Sequence, residues 1–204
     1  MADLRQKMVR RSPIHFIENI SQPVFWLSGK NDRVVPLSNA ENILKKNMKY
    51  TIVSPVKNEG KFIKNTLDSV VQQSIKPIEW IVVDDGSTDN TLDILKEYSN
   101  KYSWIRIIEN KTHTEERAGG SKVVRAFYKG FNSIKNHDYD FIVKLDADIV
   151  LPANYFETLI KHFESDDTIG MVGGFAYIKE RGQWILENLT NKDHIRGAFK
   201  AYRK

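Results

Sequence analysis

Phe141-Ile142-Val143-Lys144-Leu145-Asp146-Ala147-Asp148-Ile149-Val150-Leu151-Pro152 decides how the chain is read. A short apolar run of this length is the pattern of a buried strand. It ends in two carboxylates one residue apart, and a proline closes it. Period-2 alternation places Asp146 and Asp148 on one side of an extended chain, at the strand's carboxyl end. Two neighbouring carboxylates repel unless a cation sits between them. Oxygen ligands favour a hard cation, Mg²⁺ or Mn²⁺, which keeps waters and takes substrate phosphates as further ligands. Taken alone, the pair also fits two solvated aspartates in a turn, so the surrounding chain has to decide.

Working outward, strands alternate with helices. Tyr50 to Val53 is an apolar strand that runs into Ser54-Pro55-Val56-Lys57-Asn58-Glu59-Gly60. A helix follows with Phe62, Ile63, Leu67, Val70 and Val71 on one face. Ile78 to Val83 is the next strand and leads into Asp84-Asp85-Gly86-Ser87-Thr88-Asp89. Gly86 gives that turn its freedom, and Ser87 or Asp89 is placed to cap a helix starting near Thr91. Trp104 to Ile108 reads as a strand. After the Glu115-to-Gly120 loop, a helix from Ser121 to Ile134 carries Val124, Phe127, Tyr128 and Phe131. The quoted strand is followed by a helix from Ala153 to about Glu164. Ile169 to Ile178 reads as one strand broken by Gly173-Gly174, with Trp184 to Leu189 beside it. This alternation predicts an α/β fold with a mostly parallel sheet and helices on both faces. In such sheets ligands bind at the carboxyl ends of the strands. Pro55/Asn58/Glu59, Asp84/Asp85 and Asp146/Asp148 all fall at such ends.

The chain has 204 residues, 41% hydrophobic and 28% charged, which suffices for one sizeable core. No apolar run reaches the ~18–20 residues needed to span a bilayer. The chain has no cysteine, which excludes disulfides and thiolate metal sites and fits a reducing compartment. Net charge is +5, with Lys and Arg scattered, a mild preference for nucleotides, phosphates or an acidic membrane surface and not the pattern of nucleic-acid binding. The five histidines show no metal-ligand spacing, and Gly119-Gly120-Ser121-Lys122 lacks the glycine spacing of a phosphate loop.

Residues 50–204 resemble glycosyltransferase family 2 domains of GT-A (Rossmann-like) fold. The resemblance is carried by Ser54 to Glu59, Val82 to Asp89, Leu145 to Asp148, Gly173-Gly174 and His194 to Arg203. It implies a nucleotide-sugar donor, UDP-linked, and transfer to a hydroxyl acceptor with inversion, in polysaccharide or cell-surface glycan synthesis. It implies that Pro55, Asn58 and Glu59 line the nucleotide pocket. Asp85, in preference to Asp84, would bind the uracil ring. Arg117 and Gly119-Gly120 would pass near the nucleotide. Asp146 would face the ribose and metal waters, and Asp148 would ligate Mg²⁺ or Mn²⁺. In the family the general base is a carboxylate near or after the segment matching Arg196-Gly197-Ala198. No clear match stands before Lys204, so the catalytic base is unassigned and the domain reads as incomplete at its C-terminus. The resemblance further implies a cytoplasmic location at the inner face of the membrane, with a glycan or lipid-linked acceptor.

Residues 1–48 read as a separate strand-turn-helix appendage to a domain spanning 49–204. Val24-Phe25-Trp26-Leu27 is a short strand, Ser28 to Asp32 a turn, and Ser38 to Lys46 has helical spacing. Residues 12–46 resemble the late segment of prolyl-oligopeptidase-type α/β-hydrolases, with Asp32 matching the triad acid. The chain has no G-x-S-x-G nucleophile elbow, so this piece implies no hydrolase activity.

Overall fold

A computed structural model describes residues 26–28, 48–110, 121–187 and 195–204. The described elements are, in order, β1 (Trp26–Ser28), β2 (Tyr50–Val56), α1 (Ile63–Val71), β3 (Glu79–Asp84), α2 (Thr91–Lys101), β4 (Ile105–Glu109) and α3 (Ser121–Phe131). They continue with β5 (Phe141–Leu145), α4 (Tyr155–Ser165), β6 (Met171–Gly173), β7 (Tyr177–Glu180), β8 (Gln183–Leu186) and β9 (Phe199–Arg203). Seven strands form one sheet in the order β1-β6-β9-β5-β2-β3-β4.

Parallel pairing joins β5 to β2, β2 to β3 and β3 to β4. The apolar runs expected of such strands are buried on both sides: every β3 residue is buried, and so is every β2 residue except Pro55. Helices cover both faces. Ile63, Leu67 and Val70 of α1, Leu95 and Tyr98 of α2, and Tyr155, Phe156, Leu159 and Phe163 of α4 share one core with the sheet. On the other face, Ala126 of α3 joins Val53, Ile81, Val83 and Ile142.

Gly130 sets how closely α3 approaches. A Cβ there would lie 2.6 Å from Val53 Cγ1 and 2.8 Å from Val83 Cγ2. Ala126 and Gly130, four residues apart, therefore make the contact stripe. The large residues that the sequence marks on this helix, Val124, Phe127, Tyr128 and Phe131, lie outside that stripe. Phe127 is partly buried, but Val124 and Tyr128 are 52% and 57% exposed. The small residues bring the backbone against the sheet, and the large ones flank an open groove of about 420 Å³ with Ile142, Lys144 and Tyr202. The expectation that Phe62 shares the apolar face of α1 is corrected. The residue precedes the first turn of α1 and is 52% exposed.

The expected broken strand at Ile169–Ile178 is two strands in two sheets. β6 belongs to the main sheet, whereas β7 pairs with β8 as a separate hairpin. Arg181 (φ 48°) and Gly182 (φ 84°) turn that hairpin, both in the left-handed region that two-residue hairpin loops require. β9, whose residues alternate only weakly in sequence, inserts between β5 and β6, antiparallel to both. Five of the seven main-sheet strands still share one direction. β1 pairs antiparallel with β6 at the sheet edge; the remainder of the hydrolase-like stretch, including Asp32, lies outside the described residues. Among the described residues no helix is long and apolar enough to cross a membrane.

Candidate functional site

The register of the parallel strands brings three polar turns to one edge. Val56, the last residue of β2, pairs with Asp84, the last of β3, and Asp84 pairs with Glu109, the last of β4. Neighbouring β5 ends at Leu145, so Asp146 emerges beside the same edge.

The β2 and β3 turns are tied together. Asn58 adopts φ 56°, a left-handed conformation that asparagine tolerates better than most residues. Its N–H donates to Ser87 Oγ at 2.9 Å, and its Oδ1 accepts the Thr88 N–H at 2.8 Å. The Glu59 N–H donates to Thr91 Oγ1 at 2.8 Å and the Gly60 N–H to Asp89 Oδ2 at 3.0 Å. Asp89 also accepts the Thr91 N–H at 3.0 Å at the start of α2, while Ser87 serves the β2 turn. Asn58 is thus a clamp between two loops. Pro55, in β2, is half-buried.

The two adjacent aspartates differ in environment. Asp84 is buried, and its carboxylate faces the Ser87 N–H at 3.3 Å, closing its own turn. Asp85 is half-exposed at the edge, and its N–H is fixed on the Val56 carbonyl at 2.8 Å. Its Oδ1 accepts from Asn110 Nδ2 at 2.6 Å, and Asn110 Oδ1 accepts from Lys129 Nζ at 2.7 Å. Neither Asn110 nor Lys129 was expected from the sequence. Asn110 directly follows β4, so the rule that favoured the other strand ends points to it as well. Lys129 arrives from α3 and has no such signal.

At the β5 end the chain leaves the strand at Leu145, and the Asp146 N–H donates to the Ala198 carbonyl at 2.7 Å. The Asp146 carboxylate is ion-paired with Lys144. Burial pushes the Asp146 carboxyl above its usual range, the Lys144 ammonium pulls it down, and the Asp148 charge pushes it up again. Glu59 is raised as well, by burial first and then by the charges of Asp148, Asp89 and Asp146. Four carboxylates from three turns therefore share one negative field. Asp148 is exposed, and among the described residues no hydrogen bond or ion pair engages its carboxylate.

An all-oxygen set with excess negative charge fits a hard divalent cation. Among the described residues no group of three His, Cys, Asp or Glu is arranged to hold a metal by itself. A cation at Asp146 and Asp148 would therefore draw its remaining ligands from a bound diphosphate and water.

Thr66 of α1 holds the residue between the two aspartates. Its buried hydroxyl donates to the Ala147 carbonyl at 2.7 Å. Thr66→Val keeps the shape and removes the donor, leaving a buried carbonyl unpaired at a cost of about 1–3 kcal/mol. The expected result is a lower melting temperature together with weakened divalent-cation binding, read by calorimetry. Full cation affinity in the variant would contradict the positioning role. Arg117, Gly119 and Gly120 lie outside the described residues, as does His194.

The glycosyl transferase family 2 model matches residues 51–203, which hold all three turns. The chain belongs to this family. The family 2 relatives include the glycosyltransferase GlyA of Streptococcus pneumoniae, 34% identical over 125 residues, covering 60% of this chain and 16% of that protein. The poly(ribitol-phosphate) beta-glucosyltransferase of Bacillus spizizenii is 33% identical over 135 residues, covering 62% of this chain and 19% of that protein. Among solved structures, the mannosyltransferase PcManGT of Pyrobaculum calidifontis, in complex with GDP-Man and Mn²⁺, matches with a TM-score of 0.52. It is 20% identical, and the match covers 81% of this chain and 50% of that one, a likeness of GT-A fold. The chain thus spans half or less of each of these proteins. These matches bear out the family 2 resemblance and the α/β GT-A architecture. They give no support to the hydrolase resemblance of residues 12–46.

Proposed function

We propose that residues 49–204 form the donor-binding part of an inverting glycosyltransferase, with residues 1–48 as an appendage. It binds a nucleotide-diphosphate sugar, UDP-linked, together with Mg²⁺ or Mn²⁺, and transfers the sugar to a hydroxyl of a glycan or lipid-linked acceptor. Synthesis of a cell-surface polysaccharide, on the cytoplasmic side at the inner face of the membrane, belongs to the same proposal.

The observation that carries it is the convergence of Glu59, Asp85, Asp146 and Asp148 on one sheet edge, with a repulsive field around Asp146 and Glu59. Family membership supports it, as does the naming of relatives as glycosyltransferases. Asp85 presents an acceptor to a base N–H. Asp148, with Asp146 beside it, holds the cation, and Pro55, Asn58, Glu59, Asp84, Arg117 and Gly119 shape the nucleotide pocket around them. A bound cation would offset the charge that develops on the leaving diphosphate.

A second reading is nucleotide-sugar binding without turnover. One assay separates the two. With UDP-sugar and Mn²⁺, steady release of free UDP is the expected result for a transferase. Saturable binding with no UDP release would establish the second reading, and no binding would overturn both.

A further inference from the structure

β5 and β9 bring two lysines side by side on the face of the sheet that meets α3. Lys144 of β5 pairs with Lys200 of β9, and next to them Ile142 pairs with Tyr202. Residues directly opposite in an antiparallel pair share a face, and like charges placed there repel. Lys144 has a carboxylate partner in Asp146. Lys200 is half-buried, and among the described residues no hydrogen bond or ion pair engages its ammonium. Burial, then the Lys144 charge, hold the Lys200 ammonium below the usual lysine range. Two half-buried cations therefore share one carboxylate.

The lysine pair adjoins the open groove of about 420 Å³. Val124, Phe127, Tyr128 and Phe131 wall it from α3, and Ile142, Lys144 and Tyr202 from the sheet. The Phe127 and Phe131 rings stack with centroids 6.3 Å apart, and Tyr128 meets Phe131 edge-on at 6.4 Å. Hydrophobic and aromatic walls with a few polar groups gathered at one place are the make-up of a small-molecule site. Lys144 marks the end nearest the acidic edge, because it reaches Asp146. A free anion would satisfy the lysines and leave the aromatic walls wet. A plain hydrocarbon would cover the walls and leave Lys200 without an acceptor. An amphiphile with an anionic head does both. We propose that this groove binds the hydrocarbon chain of a phosphorylated lipid, with its phosphate held by Lys144 and Lys200. The role rests on the donor-site reading above and gives its lipid-linked acceptor a seat. Chain, phosphate and hydroxyl-bearing group would then follow groove, lysine pair and donor edge in order.

The test is calorimetric titration of the full chain with n-octyl phosphate below its micelle concentration, against octanol and inorganic phosphate, without nucleotide or metal. Octyl phosphate should bind at least about tenfold more tightly than either control, since several methylenes leave water. Lys200→Met should weaken octyl phosphate about tenfold, the size of one hydrogen bond to a charged group, and leave octanol alone. Lys200→Arg should retain the affinity. Tyr128→Asp, at a position 57% exposed, should remove the advantage of octyl phosphate over inorganic phosphate. Binding at the site should also raise the melting temperature. A fall, the mark of detergent-like unfolding, overturns the proposal. So does octyl phosphate binding no better than octanol, or no better than inorganic phosphate, or unchanged by Lys200→Met. Any of these leaves the donor site standing if UDP with Mn²⁺ still binds. A chain that binds octyl phosphate as described but not UDP with Mn²⁺ overturns the donor-site reading and the acceptor role, and leaves the lipid site.

Discussion

UDP and Mn²⁺ together should raise the melting temperature of the wild-type chain, and Asp148→Ala should erase the rise. Ligand at about 100 times its dissociation constant stabilises the folded state by ~2.7 kcal/mol. For a chain of this size that corresponds to roughly 5–11 °C. The argument runs through charge. Glu59 and Asp146 are raised by burial and by their acidic neighbours, with Lys144 opposing at Asp146, so a diphosphate approaches against a negative field that a cation would offset. UDP alone should therefore shift the protein little. Asp148 is exposed, so its removal costs the unliganded fold nothing it depends on. The unliganded Asp148→Ala protein should melt at or slightly above the wild-type temperature, because one repulsive charge is gone. A full shift with UDP and Mn²⁺ in the variant would remove Asp148 from the metal site. An equal shift with UDP alone in the wild type would remove the metal.

Trp80→Ala should be the most damaging single substitution to the fold. Trp80 is fully buried in β3, its indole N–H donates to Ser54 Oγ of β2 at 2.9 Å, and its ring stacks near Trp104 with centroids 6.4 Å apart. Truncating a buried aromatic of this size typically costs about 3–5 kcal/mol, a large part of the ~5–15 kcal/mol by which domains are stable. The melting temperature should fall by roughly 6–20 °C. Because β3 delivers Asp84 and Asp85 to the edge, nucleotide binding should be lost at temperatures where the wild type still binds. Trp80→Phe should recover most of the packing and leave a smaller deficit from the unpaired Ser54 hydroxyl. A melting temperature for Trp80→Ala within 2 °C of wild type would show that the β2–β3 core tolerates the void, against the packing argument (the scale being about 2–4 °C per kcal/mol).

Much was legible from sequence because it depends on short-range pattern. Buried parallel strands announce themselves as apolar runs, and the turn residues at their ends stand beside them in the chain. That placed β2 to β5, the four helices and the acidic turns within a few residues. The pattern failed where a residue's surroundings come from far along the chain. Periodicity marked the large residues of α3 without saying which side of the helix meets the sheet. The close approach at Gly130 is a property of Val53 and Val83, some 77 and 47 positions away, and no local window contains it. β9 is invisible for a similar reason. Phe199 to Arg203 alternates weakly, and it becomes a strand because β5 and β6 offer it unpaired edges on both sides.

The sequence by itself determined the α/β class, the family and the strand ends that carry the carboxylates, since each is written in contiguous residues. Only the tertiary structure decided what those carboxylates do to one another. It buried Asp84 in its own turn and left Asp85 at the edge, though the two are adjacent in the chain. It spent the Asn58 side chain on a neighbouring loop and brought Lys129 through Asn110 to Asp85. Hydrogen-bond partners and local fields are set by distance in space, which a linear order of residues does not contain.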